Sequence, residues 1–244
     1  KMEFKDMINK VHCADCLEFM KQIPDKSIDL VLTDPPYWYI KVDKKIWLNY
    51  KNENEFLHWY KCRLEQCYRI LKDTWTISVQ CNEKANYKIR NLMDEVFWRK
   101  NFINELVRLY GAGNSTNKVP FAQKHDTIYI YSKSRNYNYN IIKEDWVRLK
   151  SWLRIKSIAD KSWYLSCDNE NRVLTPYQKP VKLYSTLIKS LSNKWDIVLD
   201  PFAGSGTTAV ACKELWRNFI LCEKEQKYVD IANKRLANTT TSLF

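Results

Sequence analysis

Asp34, Pro35, Pro36 and Tyr37 follow "SIDLVL" (27–32), a run apolar enough for a buried strand apart from Asp29. An acid, two prolines and an aromatic ring at a strand end make a stiff set of acceptors beside a flat face. Proline fixes φ, and so aims the carbonyls around it. A carboxylate and a backbone carbonyl can each accept one N–H of a conjugated, weakly nucleophilic amine. Together they pull its nitrogen towards tetrahedral geometry. Tyr37 offers a flat face on which a planar ligand can stack. The same four residues also make an ordinary turn, so a second site has to carry the reading.

That second site is "DIVLDPFAGSGTTAVACKEL" (196–215). A short strand ends in Asp200, and the turn Phe202, Ala203, Gly204, Ser205, Gly206 leads into a helix opened by Thr207 and Thr208. Gly204 and Gly206 let the backbone fold tightly and approach a ligand. Ser205, Thr207 and Thr208 bring hydroxyls to a helix N-terminus. The next strand, in "NFILCE" (218–223), ends in Glu223, an acid placed to hold two ribose hydroxyls. No third glycine completes a dinucleotide fingerprint, and no Gly-Lys-Ser/Thr marks a triphosphate loop. Asp200 would repel a phosphate and suits a cation, such as the amino group of an amino-acid moiety.

The elements that must position these groups are legible as alternating patterns. Strands are expected at 8–13, 27–32, 75–80, 101–110, 126–133, 196–200 and 218–223. Helices are expected at 15–23, 53–72, 83–96, 179–192, 205–215 and 225–237. In 53–72 the residues Phe56, Leu57, Tyr60, Leu64, Cys67, Tyr68 and Leu71 fall on one stripe. Alternation of this kind predicts an α/β fold, a mostly parallel sheet with helices on both faces. Residues 134–174 lose all period and are rich in Asn, Lys, Ser and Tyr, so an inserted lobe is expected there. The catalytic body is expected from 1–133 and 175–244.

The two motifs, in this order, resemble the DNA amino-methyltransferases that use S-adenosylmethionine. With "TDPPYW" near the start and "DPFAGSGTT" near the end, the chain is most similar to the beta class of that family. "HCADCLEFMKQIPDKSIDLVLTDPPY", "FAQKHDTIYIYSKS" and "TPYQKP" extend the resemblance over roughly 8–133 and 175–237. It implies a Rossmann-like seven-stranded methyltransferase sheet and a target-recognition lobe near 134–174. The implied activity is methyl transfer to the N6 of adenine in double-stranded DNA by base flipping. The catalytic group is then Asp34, Pro35, Pro36 and Tyr37. The implied cofactor pocket comprises Asp15, Cys16, Asp34, Gln178, Lys179, Asp200, Phe202, Ala203, Gly204, Ser205, Gly206, Thr207, Thr208 and Glu223. Asp15 would meet the adenine end of the cofactor, and it also reads as a helix N-cap. Methylation of cytosine N4 uses the same chemistry, although those members more often carry serine in place of Asp34. Action on RNA or protein amines, or an inactive nucleic-acid-binding module, are the other readings. A homodimer is common in the beta class, and restriction–modification is the implied setting.

Bulk properties fit a polyanionic partner. The 244 residues carry a formal net charge of +12 and a pI of about 9.2. The loop 111–124 is small and polar, and its Lys118 and Lys124 are candidates for contact with the DNA backbone. Eight cysteines include a lone Cys13-x-x-Cys16 pair with no second pair or suitably spaced histidines. Buried reduced thiols are expected, and no metal site. No apolar run approaches a membrane span. The chain opens on Lys1, with charges and no apolar signal core, so a trimmed start and a cytoplasmic, bacterial or phage setting are expected.

One departure stands out. The chain has 4 glycines and 10 tryptophans. Trp75, Trp195 and Trp216 are expected in turns before strands, where the family usually places glycine. Trp216 falls just past the helix 205–215, where a left-handed backbone is often needed.

Overall fold

The computed structural model describes residues 2–36, 41–42, 45–46, 52–82, 85–109, 125–144, 147–148, 152–154 and 178–240. Twelve strands appear among them: β1 (Lys10–Cys13), β2 (Ile28–Thr33), β3 (Lys41–Val42), β4 (Lys45–Ile46), β5 (Leu71–Cys81), β6 (Phe102–Leu109), β7 (His125–Ser132), β8 (Lys143–Glu144), β9 (Val147–Arg148), β10 (Trp152–Arg154), β11 (Ile197–Asp200) and β12 (Asn218–Glu223). The helices are α1 (Phe4–Met7), α2 (Cys16–Met20), α3 (Glu53–Ile70), α4 (Asn86–Phe97), α5 (Val181–Leu191), α6 (Thr207–Glu214) and α7 (Gln226–Asn238).

Eight strands form one sheet in the order β1-β12-β11-β2-β5-β7-β6-β10. Neighbours from β1 to β5 run parallel, and β7 runs antiparallel to both β5 and β6. Seven of the strands are those expected. The eighth, β10, has three residues and pairs with the edge strand β6. It comes from the interval expected to hold the lobe. The start of that interval is bonded to the body: Asn138 N donates to Thr74 O at 2.9 Å and Asn140 N to Ser190 O at 2.7 Å. Residues 155–177 lie outside the described residues.

Strand alternation sends side chains to two cores. Val31, Ile77, Val79, Tyr129 and Tyr131 pack with α3 and α4 through Phe56, Tyr60, Leu64, Ile89, Met93 and Phe97. Leu30, Leu32, Ile128 and Ile130 pack with α5 and α6 through Leu183, Tyr184, Leu187, Ile188, Ala209 and Cys212. β2 is buried on both faces because it lies between β11 and β5 with helices above and below. Asp29, the acid within it, is held by Lys72 Nζ at 2.6 Å and by the amide of Ile197 at 2.9 Å.

The tryptophans divide. Trp216 has φ +61 and Trp195 has φ +73, both left-handed. Trp75 does not sit in a turn. It lies inside β5 and is 7% exposed, because β5 begins four residues earlier than the alternation suggests. A third left-handed tryptophan, Trp98, closes α4 with φ 63 and ψ 128.

Candidate active site

Four neighbouring parallel strands, β1, β12, β11 and β2, bring their carboxyl ends to one edge of the sheet. Each end delivers an acid: Asp15 two residues after β1, Glu223 closing β12, Asp200 closing β11, and Asp34 directly after β2. Cys13 is in register with Glu223, and Asp200 with Leu221. Residues from the two ends of the chain therefore meet because β2 inserts beside β11. The carboxyl edge of an open α/β sheet is where such folds bind ligands.

The turn between β11 and α6 is held from within. Asp200 is 2% exposed. Its Oδ1 accepts from Phe202 N at 3.1 Å, and its Oδ2 accepts from Thr208 Oγ1 at 2.5 Å. Burial pushes its carboxyl up to about 7, against the opposing effect of hydrogen bonds from Thr208 and Phe202 N. Asp200 thus ties the turn to the helix, whereas its charge alone suggests a ligand cation. The hydroxyls also turn inward. Thr207 Oγ1 donates to Lys179 O at 3.1 Å, and Arg235 reaches Ser205 O at 2.7 Å and the Ser205 and Thr207 hydroxyls at 3.1 Å. Gly206 has φ +78, and a Cβ there would stand 2.6 Å from Ala232 Cβ in α7. Gly204, at φ +50, has nothing within 4 Å of the corresponding position. One glycine is required by packing, and the other leaves open space above the turn.

Glu223 faces this turn. Its Oε2 accepts from Gly204 N at 2.9 Å, and its Oε1 accepts from Glu225 N at 3.0 Å. A carboxylate can accept about four donors, so capacity remains beside these amides. Burial raises its carboxyl above the usual range, opposed by those amides. Ala203 N donates to Cys222 O at 3.0 Å and fastens the turn to β12.

Asp15 caps α2, its Oδ1 accepting from Leu17 N at 2.9 Å. Arg63 holds the same carboxylate at 2.9 and 3.1 Å, and its Nε reaches Cys16 Sγ at 3.2 Å. The guanidinium lies 3.9 Å from the Trp59 ring centroid, and Trp59 stands 5.6 Å from Phe202. Burial pushes the Cys16 thiol up to about 11, outweighing Arg63. Sequence reasoning missed Arg63, Trp59 and Arg235. A signal existed for Arg63: it falls on the apolar stripe of α3, seven residues from Phe56, where a charge needs a buried partner.

Asp34 and Lys179 form an ion pair, their side chains 17% and 19% exposed. Lys179 precedes α5, which opens after Pro180, and Gln178 beside it is buried. Pro35 is buried and Pro36 half-buried. Tyr37, Lys118 and Lys124 lie outside the described residues.

Among the described cysteines, Cys16, Cys67, Cys81, Cys212 and Cys222 are buried, Cys13 is exposed, and none is in a disulfide. Also among the described residues, no helix is long and apolar enough to cross a membrane.

Comparisons with known proteins point one way. A family model described as DNA methylase matches residues 28–234. The Type II methyltransferase M.HinfI of Haemophilus influenzae is 32% identical over 265 residues, covering 97% of this chain and 70% of that protein. The Type II methyltransferase M.HpaI of Haemophilus parainfluenzae is 30% identical, covering 94% and 74%. Among solved structures, the PvuII DNA methyltransferase (cytosine-N4-specific) shares the fold at TM-score 0.77 and 21% identity, over 95% of this chain and 87% of that one. A complex of M1.HpyAVI with SAM shares it at TM-score 0.67 and 23% identity, over 93% and 98%.

Proposed function

The chain belongs to the DNA methylase family, and on that premise we propose that it transfers a methyl group from S-adenosylmethionine to the N6 amino group of adenine in double-stranded DNA. The observation that carries the reading is the position of Asp34. Its strand, β2, lies directly beside β11, whose carboxyl end opens the glycine turn. A nucleophile held by Asp34 and a donor held over that turn are therefore neighbours along one sheet edge.

The residues present fit the cofactor. Gly204 leaves the turn open above its Cα. Glu223 retains acceptor sites for ribose hydroxyls, Asp15 is a half-exposed acceptor, and Trp59 with Phe202 supplies apolar faces for an adenine. When bound, the cofactor supplies an electrophilic methyl on a sulfonium.

The chain's own work is positioning. Asp34 accepts one N–H of the target amine and the Pro35 carbonyl accepts the other, which frees the nitrogen lone pair for in-line attack. Asp34 also stabilises the positive charge that grows on that nitrogen. Tyr37 stacks on the extruded base. The aspartate at position 34 favours adenine over cytosine. A restriction–modification setting is proposed from the Type II relatives.

The test is direct. DNA, RNA and protein are incubated with the enzyme and cofactor carrying a tritiated methyl group, and labelled DNA is digested to nucleosides. Label in N6-methyldeoxyadenosine is expected. Label in N4-methyldeoxycytidine would replace the base assignment, and label in RNA or protein alone would overturn the DNA substrate.

A further inference from the structure

Lys179 spans the two halves of the site. Its carbonyl receives the Thr207 hydroxyl at 3.1 Å, at the head of α6 and next to the glycine turn. Its ammonium reaches the other way, to Asp34 Oδ2. Both side chains are about four-fifths buried, so this is not a freely solvated surface pair. Methyl transfer as proposed needs Asp34 to accept an N–H from the target amine. An ammonium carries three N–H donors on a compact charge. It satisfies the carboxylate in the way the target nitrogen must.

The geometry points to Lys179 as a placeholder for the target amine, its ammonium capping Asp34 until the carboxylate of the cofactor's amino-acid part draws it away. This rests on the methyl-transfer reading given above. The pair has to open before transfer, because a fixed ammonium beside the accepting nitrogen would oppose the positive charge that develops there. Opening leaves Lys179 mostly buried without a partner, which is costly. Its backbone is already tied to the cofactor turn, so an anion bound there is the compensating partner within reach. Ligands coupled through one switching contact help each other reciprocally. The cofactor then prepares Asp34 for the base, and a free enzyme holds the base poorly.

Calorimetry with S-adenosylhomocysteine tests this without DNA or turnover. That molecule keeps the carboxylate and has no charge at sulfur. Wild type, Asp34→Asn, Lys179→Met and the double variant are compared, each first shown to be folded by circular dichroism and a thermal melt. Asp34→Ser serves if Asp34→Asn fails to fold. Asp34→Asn is expected to tighten binding about threefold or more, because Lys179 is released to the ligand. Lys179→Met is expected to weaken binding about tenfold, the scale of one lost charged contact. In the Lys179→Met background the Asp34 substitution should change affinity less than about twofold. An unchanged or weaker affinity in Asp34→Asn overturns the placeholder, as does an equal gain in the absence of Lys179. No binding to wild type would instead remove the methyl-transfer reading, and the placeholder with it.

Discussion

In the proposed transfer, Asp34 is the residue on which the chemistry turns. Asp34→Ala removes an acceptor from the amine while leaving the glycine turn and Glu223 intact. Methyl transfer to DNA should become undetectable while cofactor binding is kept, and tightened where Lys179 is released from its pair with Asp34, as read by calorimetry. Near-normal turnover would end its assignment. Asp200 makes a different case. It is fully buried, and burial raises its carboxyl to about 7. The folded value therefore exceeds the unfolded one. The stability linked to this group is present below about pH 4 and is lost as pH rises through about 7. Asp200→Asn mimics the protonated form. Measured by urea denaturation, it should gain on wild type between pH 5 and pH 8 by about 1–3 kcal/mol, given roughly 1.4 kcal/mol per pKa unit. A constant difference across that range would show that Asp200 stays ionised at little cost.

At the scale of elements, the end of α6 explains the glycine question. Arg217 N donates to Cys212 O at 2.9 Å, the six-residue bond of a Schellman cap, and this places Trp216 at the left-handed position. Its carbonyl receives Trp195 N at 2.7 Å, and the two rings meet edge-on at 5.6 Å. Trp195 is 64% exposed, so its ring recovers little by burial. A left-handed L-residue costs about 1–2 kcal/mol, and an edge-on aromatic pair returns about 0.5–1.5. Trp195→Gly should therefore raise the unfolding midpoint. Trp216→Gly should raise it less, because Trp216 is half-buried. Neither should change the methylated base. A clear fall in the midpoint for Trp195→Gly would show that the indole is a packed element. Trp75 is outside this argument, since it is buried within β5, where the register with β2 shifts, and its backbone is not left-handed.

At the scale of the whole molecule, the excess of 12 positive charges sets the expected behaviour towards DNA. Each phosphate neutralised releases counterions, so log affinity should fall linearly with log salt. With about six phosphates contacted, affinity should drop roughly a thousandfold between about 50 and 200 mM salt. A flat dependence, measured by fluorescence anisotropy on a duplex, would leave the charge without its partner. In the proposed reading the sheet edge divides by strand. β1, β12 and β11 carry the candidate cofactor groups, β2 carries Asp34, and β5, β7 and β6 continue on the far side. The target base is expected on that far side, opposite the cofactor.

Local pattern determined most of the elements, because burial on one or two faces writes a period into the chain. The stripe of α3, the buried run of β2, and the strand–turn–helix around Gly204 and Gly206 were all readable in this way, and so was the left-handed Trp216. Only the tertiary structure decided how side chains divide between ligand and fold. Asp200, Ser205, Thr207 and Thr208 look like binding groups in a line of letters. Bonds between Thr208 and Asp200, and those joining Thr207 and Ser205 to Lys179 and Arg235, turn them inward. Arg63 looks like a misplaced surface charge, and its pairing with Asp15 brings it to the candidate site. The Asp34–Lys179 pair joins residues 145 positions apart. No local period encodes such a contact, because it depends on β2 entering the sheet beside β11 and on α5 starting where Lys179 can reach across.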